Sequence, residues 1–384
     1  MWMRIGSVAL VLTATNAVAA QFGDPVPRLT PAQAQRFLET KDIFEETEGA
    51  EDGLGPVFND VSCAACHNVG ATGGGSALVE TRFGTTTTAG AFDPLAQFGG
   101  SLIQVQGIGP SGTCDFAGEV VPDEATIRAG RRTTPLFGLG LVDAVPDTTF
   151  KSLARNQARF TPQTAGRPNM VTDVVSGRIK VGKFGWKSQV PNLMVFSGDA
   201  YLNEMGITSP LFPTENCPGG DCTLLTCDLV ADPEDDGTDV ENFHDFMTLL
   251  GPPPRARTTL AVLAGSFLFD RVGCDNCHVP TLVTGPSRVG ALAYKTFQPF
   301  SDFLLHDMGD LGDGIEQGLA SGREMRTAPL WGVRIMTSFL HDGSAATVED
   351  AILAHDGQGR GARNRFNALP AVQKMRLLAF VNSL

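Results

Sequence analysis

Basic residues, histidine and long apolar runs are all scarce in this 384-residue sequence, and each shortage narrows what the chain does. Lys and Arg number 29 against 42 Asp and Glu, a net charge of −13 with a pI near 4.9. A chain so acidic offers no basic face to nucleic acid or to an anionic membrane surface. Past the N-terminus no apolar run approaches the ~18 residues of a membrane span, so no stable span is expected. The N-terminus itself reads as a secretory signal. Met1-Trp2-Met3-Arg4 is positive, Ile5 to Val18 is uncharged and apolar, and Ala17-Val18-Ala19-Ala20 supplies small residues for cleavage. Removal of residues 1–20 and a periplasmic location follow, in a compartment where disulfides persist. Histidine is limited to His67, His244, His278, His306, His341 and His355, with none between His67 and His244.

Against these shortages stand eight cysteines, four of them in two copies of one motif. The copies are Cys63-Ala64-Ala65-Cys66-His67 and Cys274-Asp275-Asn276-Cys277-His278. In CxxCH the two thiols add across the vinyl groups of a haem and the histidine stands below the iron as its axial ligand. Two covalently bound haem c groups are therefore expected, on Cys63, Cys66 and His67 and on Cys274, Cys277 and His278. The remaining Cys114, Cys217, Cys222 and Cys227 make an even set, which predicts two disulfides with three pairings open.

The pattern around each motif predicts a mainly α protein of two cytochrome c-like haem domains joined by long loops, with a loop-rich insertion in the first. Arg257 to Arg271 reads as a helix with Leu260, Leu263, Ala264, Phe267 and Leu268 on one stripe, stopped by Gly273 before the second CxxCH. Pro370 to Leu384 reads as a closing helix with Val372, Met375, Leu378 and Ala379 on a face. Earlier, Thr30-Pro31 opens a helix running through Leu38 and Phe44, and Phe243, Phe246, Met247 and Leu250 form a short apolar face. Gly251-Pro252-Pro253-Pro254 ends that face and places the boundary between a domain at 21–254 and one at 255–384. The Gly/Thr-rich stretch 70–90 and the acidic stretch 232–241 read as loops of the longer first domain. The acidic one carries oxygen ligands suited to calcium without the spacing of an EF-hand.

Function turns on the second axial position of each iron: two protein ligands make an electron carrier, and one leaves a face open to a small oxidant. No histidine lies close to the first motif on its C-terminal side, so its haem is five-coordinate, or takes Met170, Met194 or Met205, or borrows from the other domain.

At this point the sequence resembles the di-haem oxidoreductases of peroxidase type. That group is related to bacterial di-haem cytochrome c peroxidases and to the di-haem enzyme that matures methylamine dehydrogenase. The likeness is carried by Gly55-Pro56-Val57-Phe58-Asn59, Pro135-Leu136-Phe137-Gly138-Leu139-Gly140-Leu141, and Gly182-Lys183-Phe184-Gly185-Trp186-Lys187. It continues through Glu204-Met205-Gly206-Ile207-Thr208-Ser209-Pro210, Ser301 to Gly309, Arg326-Thr327-Ala328-Pro329-Leu330-Trp331-Gly332, and Leu340-His341-Asp342-Gly343. The resemblance implies His355, fourteen residues after His341, as the second axial ligand of the C-terminal haem, where the peroxidases have Met. It implies Trp186 between the haems and Glu204 as the carboxylate that moves protons at the first haem, with Gln189 or Lys187 assisting. It also implies a calcium between the haems, although Thr337 near one ligand position lacks the accompanying Pro. His306 and His341 are expected to bond propionates or orient ligands, and Arg323 and Arg326 to neutralise propionates.

The leading expectation is thus a peroxidase-type oxidoreductase. Its partners would be a soluble or membrane-attached electron donor and peroxide or another small oxidant. Electrons would enter at the C-terminal haem and peroxide would be reduced at the N-terminal one. The alternatives are a di-haem electron carrier with both irons closed, and a haem enzyme oxidising another substrate.

Overall fold

The structure is a computed structural model and describes residues 20–109, 114 and 117–384. The expected signal segment lies outside the described residues except for Ala20. Among them the chain is mainly α. Ten helices run in order as α1 (Pro31–Glu45), α2 (Cys63–Cys66), α3 (Leu139–Asp143), α4 (Asp147–Phe160), α5 (Leu193–Met205), α6 (Thr238–Leu249), α7 (Leu260–Val272), α8 (Val348–Ala354), α9 (Arg360–Asn367) and α10 (Ala371–Val381). Strands occur only as small antiparallel ribbons. No helix among the described residues is long and apolar enough to cross a membrane.

Local chemistry accounts for the helix starts. Thr30 caps α1 and Gln33 returns the bond in a capping box, with Pro31 at the first helical position. Thr259 caps α7 through the Val262 N–H, and Gly273 closes it in the left-handed region at φ 79°. Helices α1 and α6 pack through Phe37, Phe44, Phe243 and Phe246, with ring centres 4.6 Å apart between Phe44 and Phe246. Leu193 and Tyr201 of α5 join this first core, and so do Leu282, Phe297 and Phe303 from beyond the second CxxCH. A second core joins Val262, Phe269 and Val272 of α7 to Leu377, Phe380 and Val381 of α10, with Phe366 of α9 beside them. Each such side chain contributes about 1.5–3 kcal/mol when fully buried.

Two expectations are corrected. The apolar stripes assigned to α7 and α10 are buried only in part: Leu268 and Leu378 reach the second core, but Leu260, Leu263 and Phe267 are exposed, as are Val372 and Met375. The helices meet instead at Gly265, where a Cβ would lie 2.0 Å from the Arg376 carbonyl oxygen. Only a residue without a side chain permits that approach, and the buried face is set by it. The stretch 70–90 is also not all loop. A strand β1 (Val79–Thr86) pairs with β2 (Ile127–Arg132) from Val79↔Arg132 to Gly84↔Ile127. Its alternation of Glu80, Arg82 and Gly84 with Thr81, Phe83 and Thr85 suits a two-sided strand.

The acidic stretch 232–241 is part loop and part helix. Asp239 and Glu241 fall in the first turn of α6, where negative charge is favoured, and Asp235 accepts from the Asp239 N–H at 3.1 Å. Two disulfides form, Cys114–Cys227 and Cys217–Cys222, and they fasten the insertion.

Candidate functional site

The first CxxCH is a single helical turn. The Ser62 hydroxyl accepts the Ala65 N–H at 3.1 Å and starts α2, so Cys63 and Cys66 stand one turn apart on one side. His67 ends the turn, and the chain then folds back so that Gly73 N–H meets the His67 carbonyl at 2.9 Å. Gly74 is required in that reversal, because a Cβ would lie 2.1 Å from the Val69 carbonyl oxygen. Its carbonyl holds His67 Nδ1 at 2.9 Å. A carbonyl only accepts, so Nδ1 carries the proton and Nε2 keeps its lone pair. Burial pushes the His67 pKa down to about 4, against the backbone bonds to Gly74 and Thr134. The ring is therefore neutral, as a metal ligand must be. Burial also pushes the Cys66 thiol up to about 12, with the carboxylates of Asp60, Glu204 and Glu80 adding to it.

The second CxxCH follows Gly273 directly, and His278 N–H returns to the Cys274 carbonyl at 2.9 Å. His278 Nδ1 is bonded to the Phe300 carbonyl at 3.0 Å, again leaving Nε2 free. Burial, and then the neighbouring His355, hold its pKa down at about 4. His355 stands at the end of α8 with Nδ1 on the Ala351 carbonyl at 2.7 Å. The two ring centres are 6.4 Å apart. An imidazole nitrogen sits about 2.0–2.1 Å from a transition metal and the ring centre roughly 1.1 Å behind it, so two rings across one metal have centres about 6.3 Å apart. His278 and His355 fit that arrangement. The aromatic neighbour of His67 is Phe44, at 6.2 Å, and no second histidine ring pairs with it among the described residues.

An apolar cavity lies at the second motif. Cys274, Cys277, His278 and His355 line it, and so does Thr134, whose backbone bonds His67. Trp186 lies along it. The indole Nε1–H donates to the Arg132 carbonyl at 2.9 Å and the ring is edge-on to His341 with centres 6.3 Å apart. Lys187 beside it is fully buried and spoken for: its Nζ meets Asp313 at 2.8 Å and the Glu324 carbonyl at 2.5 Å. Asp313 also takes Arg131 at 2.7 Å. Lys187 thus anchors the Trp186 turn and has no free proton for chemistry. Gln189 is likewise folded onto its own turn, accepting the Lys187 N–H at 3.1 Å, and does not meet Glu204.

Arg132 escaped the reading of the sequence. It lines the cavity, is only 7% exposed, and its Nε and one terminal nitrogen have no hydrogen-bond partner. A buried guanidinium in that state is costly unless an anion faces it, and haem carries two carboxylates. The donor sets, the spacing of the rings and this unpaired cation fit a haem in this cavity.

Glu204 sits on the last turn of α5, beside the first motif, and accepts Asn59 Nδ2 at 2.7 Å. Burial pushes its pKa up to about 8, and the adjacent Glu80 raises it further against the pull of Arg82. Glu80 is held down by Arg82, 3.0 Å away. With Glu80 lowered and Glu204 raised, the proton of this carboxyl pair is kept on Glu204. Glu80 and Arg82 lie in the stretch 70–90 that the sequence reading placed in a loop, and neither was singled out there.

The remaining candidates are corrected by their contacts. His306 is tied at both nitrogens, Nε2 to Asp302 at 3.0 Å and Nδ1 beside Cys277 Sγ at 3.4 Å and Gln358 at 3.2 Å. Burial opposes its charge, but Asp302 outweighs burial and the imidazole is protonated well above its ordinary range. It orients the second motif and is not free to ligate. Arg323 is on the surface with Asp307 at 3.1 Å, away from the propionate role expected of it. Arg326 does line the cavity, with Nε on the Gly185 carbonyl at 2.7 Å. His244 is paired with Asp245 at 3.1 Å on α6. Met205 is buried in the first core, with Met170 and Met194 against it.

Comparison with known proteins bears on this site. The family described as "Di-haem oxidoreductase, putative peroxidase" matches residues 119–384. No curated protein matches the chain in sequence. Among solved structures, hydrazine synthase of Kuenenia stuttgartiensis is 15% identical over the whole of both chains, with a TM-score of 0.41. A MauG-like protein associated with microbial copper homeostasis is 15% identical over 96% of this chain and 94% of its own, also at 0.41. A variant of the diheme peroxidase BthA from Burkholderia thailandensis is 14% identical over 95% and 89%, at 0.39. Likeness at that level does not by itself fix the fold.

Proposed function

The chain belongs to the di-haem oxidoreductase family, and on that premise we propose that it is a periplasmic di-haem c-type cytochrome of peroxidase type. It takes electrons from a separate donor and acts on hydrogen peroxide or a related small oxidant. One haem c is held by Cys63, Cys66 and His67 in a domain spanning 21–254. The other is held by Cys274, Cys277 and His278 in a domain spanning 255–384. The observation that carries the reading is the contrast between the two histidines. His278 faces a second imidazole at 6.4 Å, and among the described residues His67 faces no second imidazole, only the Phe44 ring.

Bound haem supplies one-electron chemistry, and an iron with protein on one side only is where a small oxidant is reduced. The residues of the chain divide the remaining work. His278 and His355 would hold the C-terminal haem between them and leave small molecules no place at it. Their Nδ1 bonds to the Phe300 and Ala351 carbonyls fix the rings. Glu204 keeps the proton of its pair with Glu80 beside the first motif. Glu204 can pass it to one peroxide oxygen and take one from the other, with Asn59 fixing the carboxyl. Trp186, pinned by the Arg132 carbonyl, lines the cavity at the second motif and is the residue that would carry electrons from there toward the first.

The test is electron paramagnetic resonance of the fully oxidised holoprotein, followed by peroxide turnover with a reduced dye as donor. The expected result is one low-spin and one high-spin ferric signal in equal amounts, with the high-spin signal altered by peroxide. Two low-spin signals in every redox state, unmoved by peroxide, would reject the proposal in favour of an electron carrier.

A further inference from the structure

The insertion fastened by the two disulfides carries four acids that the proposed reaction does not use. Glu215, Asp228, Asp232 and Glu234 bring one carboxylate oxygen each within 4.8 Å of one another. Three of them reach back to the backbone or to Thr208. Asp228 Oδ1 accepts the Val230 N–H at 3.1 Å, Asp232 Oδ1 accepts the Thr208 hydroxyl at 3.0 Å, and Glu234 Oε2 accepts the Thr208 N–H at 2.7 Å. Those bonds leave oxygens over. Glu234 Oε1 is buried with no partner.

Glu215 is the independent sign of a ligand. It is 7% exposed, its Oε1 is occupied by the Asn216 N–H at 2.9 Å, and its Oε2 is buried with no partner. An unpartnered carboxylate oxygen in that position costs free energy unless something positive sits against it. The titratable groups acting on Glu215 are Glu234, Asp232 and Asp228, all acids; burial first, and then these neighbours, push its pKa up to about 9. No lysine or arginine supplies the missing charge.

We propose that Glu215, Asp228, Asp232 and Glu234 form a calcium site that pins the disulfide-fastened insertion to Thr208. A set of carboxylate oxygens alone suits a hard cation and disfavours zinc or copper. Four carboxylates suit calcium, with its six to eight oxygen ligands, better than magnesium, which keeps several waters. Thr208 follows α5 closely, and the last turn of α5 carries Glu204. The ion therefore stiffens the segment that presents Glu204. The site shares no residue with either CxxCH motif, and it does not rest on the haem reading. It also differs from a calcium between the haems near Thr337.

The experiment uses the holoprotein stripped of divalent cations by a chelator and titrated with calcium chloride by calorimetry, with magnesium chloride as the rival. One calcium should bind per chain and raise the melting temperature. Glu215→Gln should weaken binding at least about tenfold, the loss of one charged ligand in an oxygen cage. Asp232→Asn should do the same while both variants keep the wild-type haem spectrum. Calcium that fails to bind at about 10 mM, well above the weak end of such sites, would overturn the proposal. So would magnesium binding as tightly as calcium, or variants that bind calcium like the wild type. A binding stoichiometry of one that survives in both variants assigns the ion to another place.

Discussion

Replacing Glu204 by Gln separates the energetic and chemical effects of one buried carboxyl. The amide has the same shape and still offers an oxygen to Asn59, which lies 2.7 Å away in the wild type. It cannot gain or lose a proton. Burial, with Glu80 adding repulsion, lifts the Glu204 pKa from an ordinary 4.5 to about 8. At about 1.4 kcal/mol for each tenfold change in proton affinity, the ionised carboxyl is disfavoured in the folded chain by on the order of 5 kcal/mol. The sign follows from linkage. The unfolded chain loses this proton near pH 4.5 and the folded chain keeps it to about 8, so stability falls across that window and the full penalty is present above it. Gln carries no such penalty. Variant and wild type should unfold alike at pH 4, and the variant should be the more stable by a few kcal/mol at pH 9.

Activity should move the other way. Loss of a positioned proton carrier slows turnover about 10²–10⁴-fold, with little change in the peroxide concentration needed for half-maximal rate. Wild-type turnover should also decline above about pH 8, where the proton kept on Glu204 is lost. Denaturant midpoints at pH 4, 7 and 9, set beside steady-state peroxide turnover, check both halves. A variant as active as the wild type refutes the proton role. A stability difference that does not depend on pH refutes the proton kept on Glu204.

His355→Gly should turn the low-spin C-terminal centre high-spin, and added imidazole should restore the spectrum by filling the vacated space; an unchanged spectrum removes His355 as a ligand. Asp313→Ala leaves Arg131 and Lys187 buried without the carboxylate that sits 2.7 and 2.8 Å from them, and should cost about 3–5 kcal/mol by chemical denaturation. A loss below about 1 kcal/mol would show that the cluster adds little. Gly265→Ala places a methyl 2.0 Å from the Arg376 carbonyl oxygen and 2.7 Å from Phe380 Cβ. It should force α7 and α10 apart at a cost of about 1–3 kcal/mol, read as a lowered melting temperature of the holoprotein.

What could be read from the sequence was what local spacing encodes. The CxxCH pairs, the Thr30 start, the Gly273 stop and an even cysteine remainder all depend on neighbours within a turn or two. The buried faces of α7 and α10 were misread in part, for a physical reason. Helix α7 is apolar nearly all round, with Leu260, Leu263 and Phe267 on one side and Val262, Phe269 and Val272 on the other, and periodicity cannot choose between two apolar stripes. Gly265 chooses, since only its side admits α10, and that signal was present in the sequence. Arg132, Glu80 and Arg82 were hidden differently. They reach the site through the pairing of β1 with β2, across some fifty residues of chain, and no local pattern announces a long-range pair. The acidic run 232–241 was visible as a source of oxygen ligands, yet Glu215 and Asp228, which complete the proposed set, lie outside it.

Arg132 shows why the two CxxCH motifs cannot be understood one at a time. Its position at the end of β2 fixes three things at once. Its carbonyl holds the Trp186 indole at 2.9 Å, its N–H holds the His341 carbonyl at 2.6 Å, and its guanidinium lines the cavity unpaired. The strand partner of β2 carries Glu80, which pairs with the protonated Glu204 beside the first motif. Arg132 lines the same cavity as His278 and His355. One ribbon therefore sets the proton-bearing pair, the indole and the buried cation in a single frame. Val79 pairs with Arg132 and Glu80 with Arg131, so Glu80 and Arg82 stand on one face of the ribbon and Arg132 on the other, and a shift of register by one residue would turn one strand's side chains over relative to the other's. The contrast between His278, with the His355 ring 6.4 Å away, and His67, with no second imidazole beside it among the described residues, is thus framed by one ribbon that reaches both motifs.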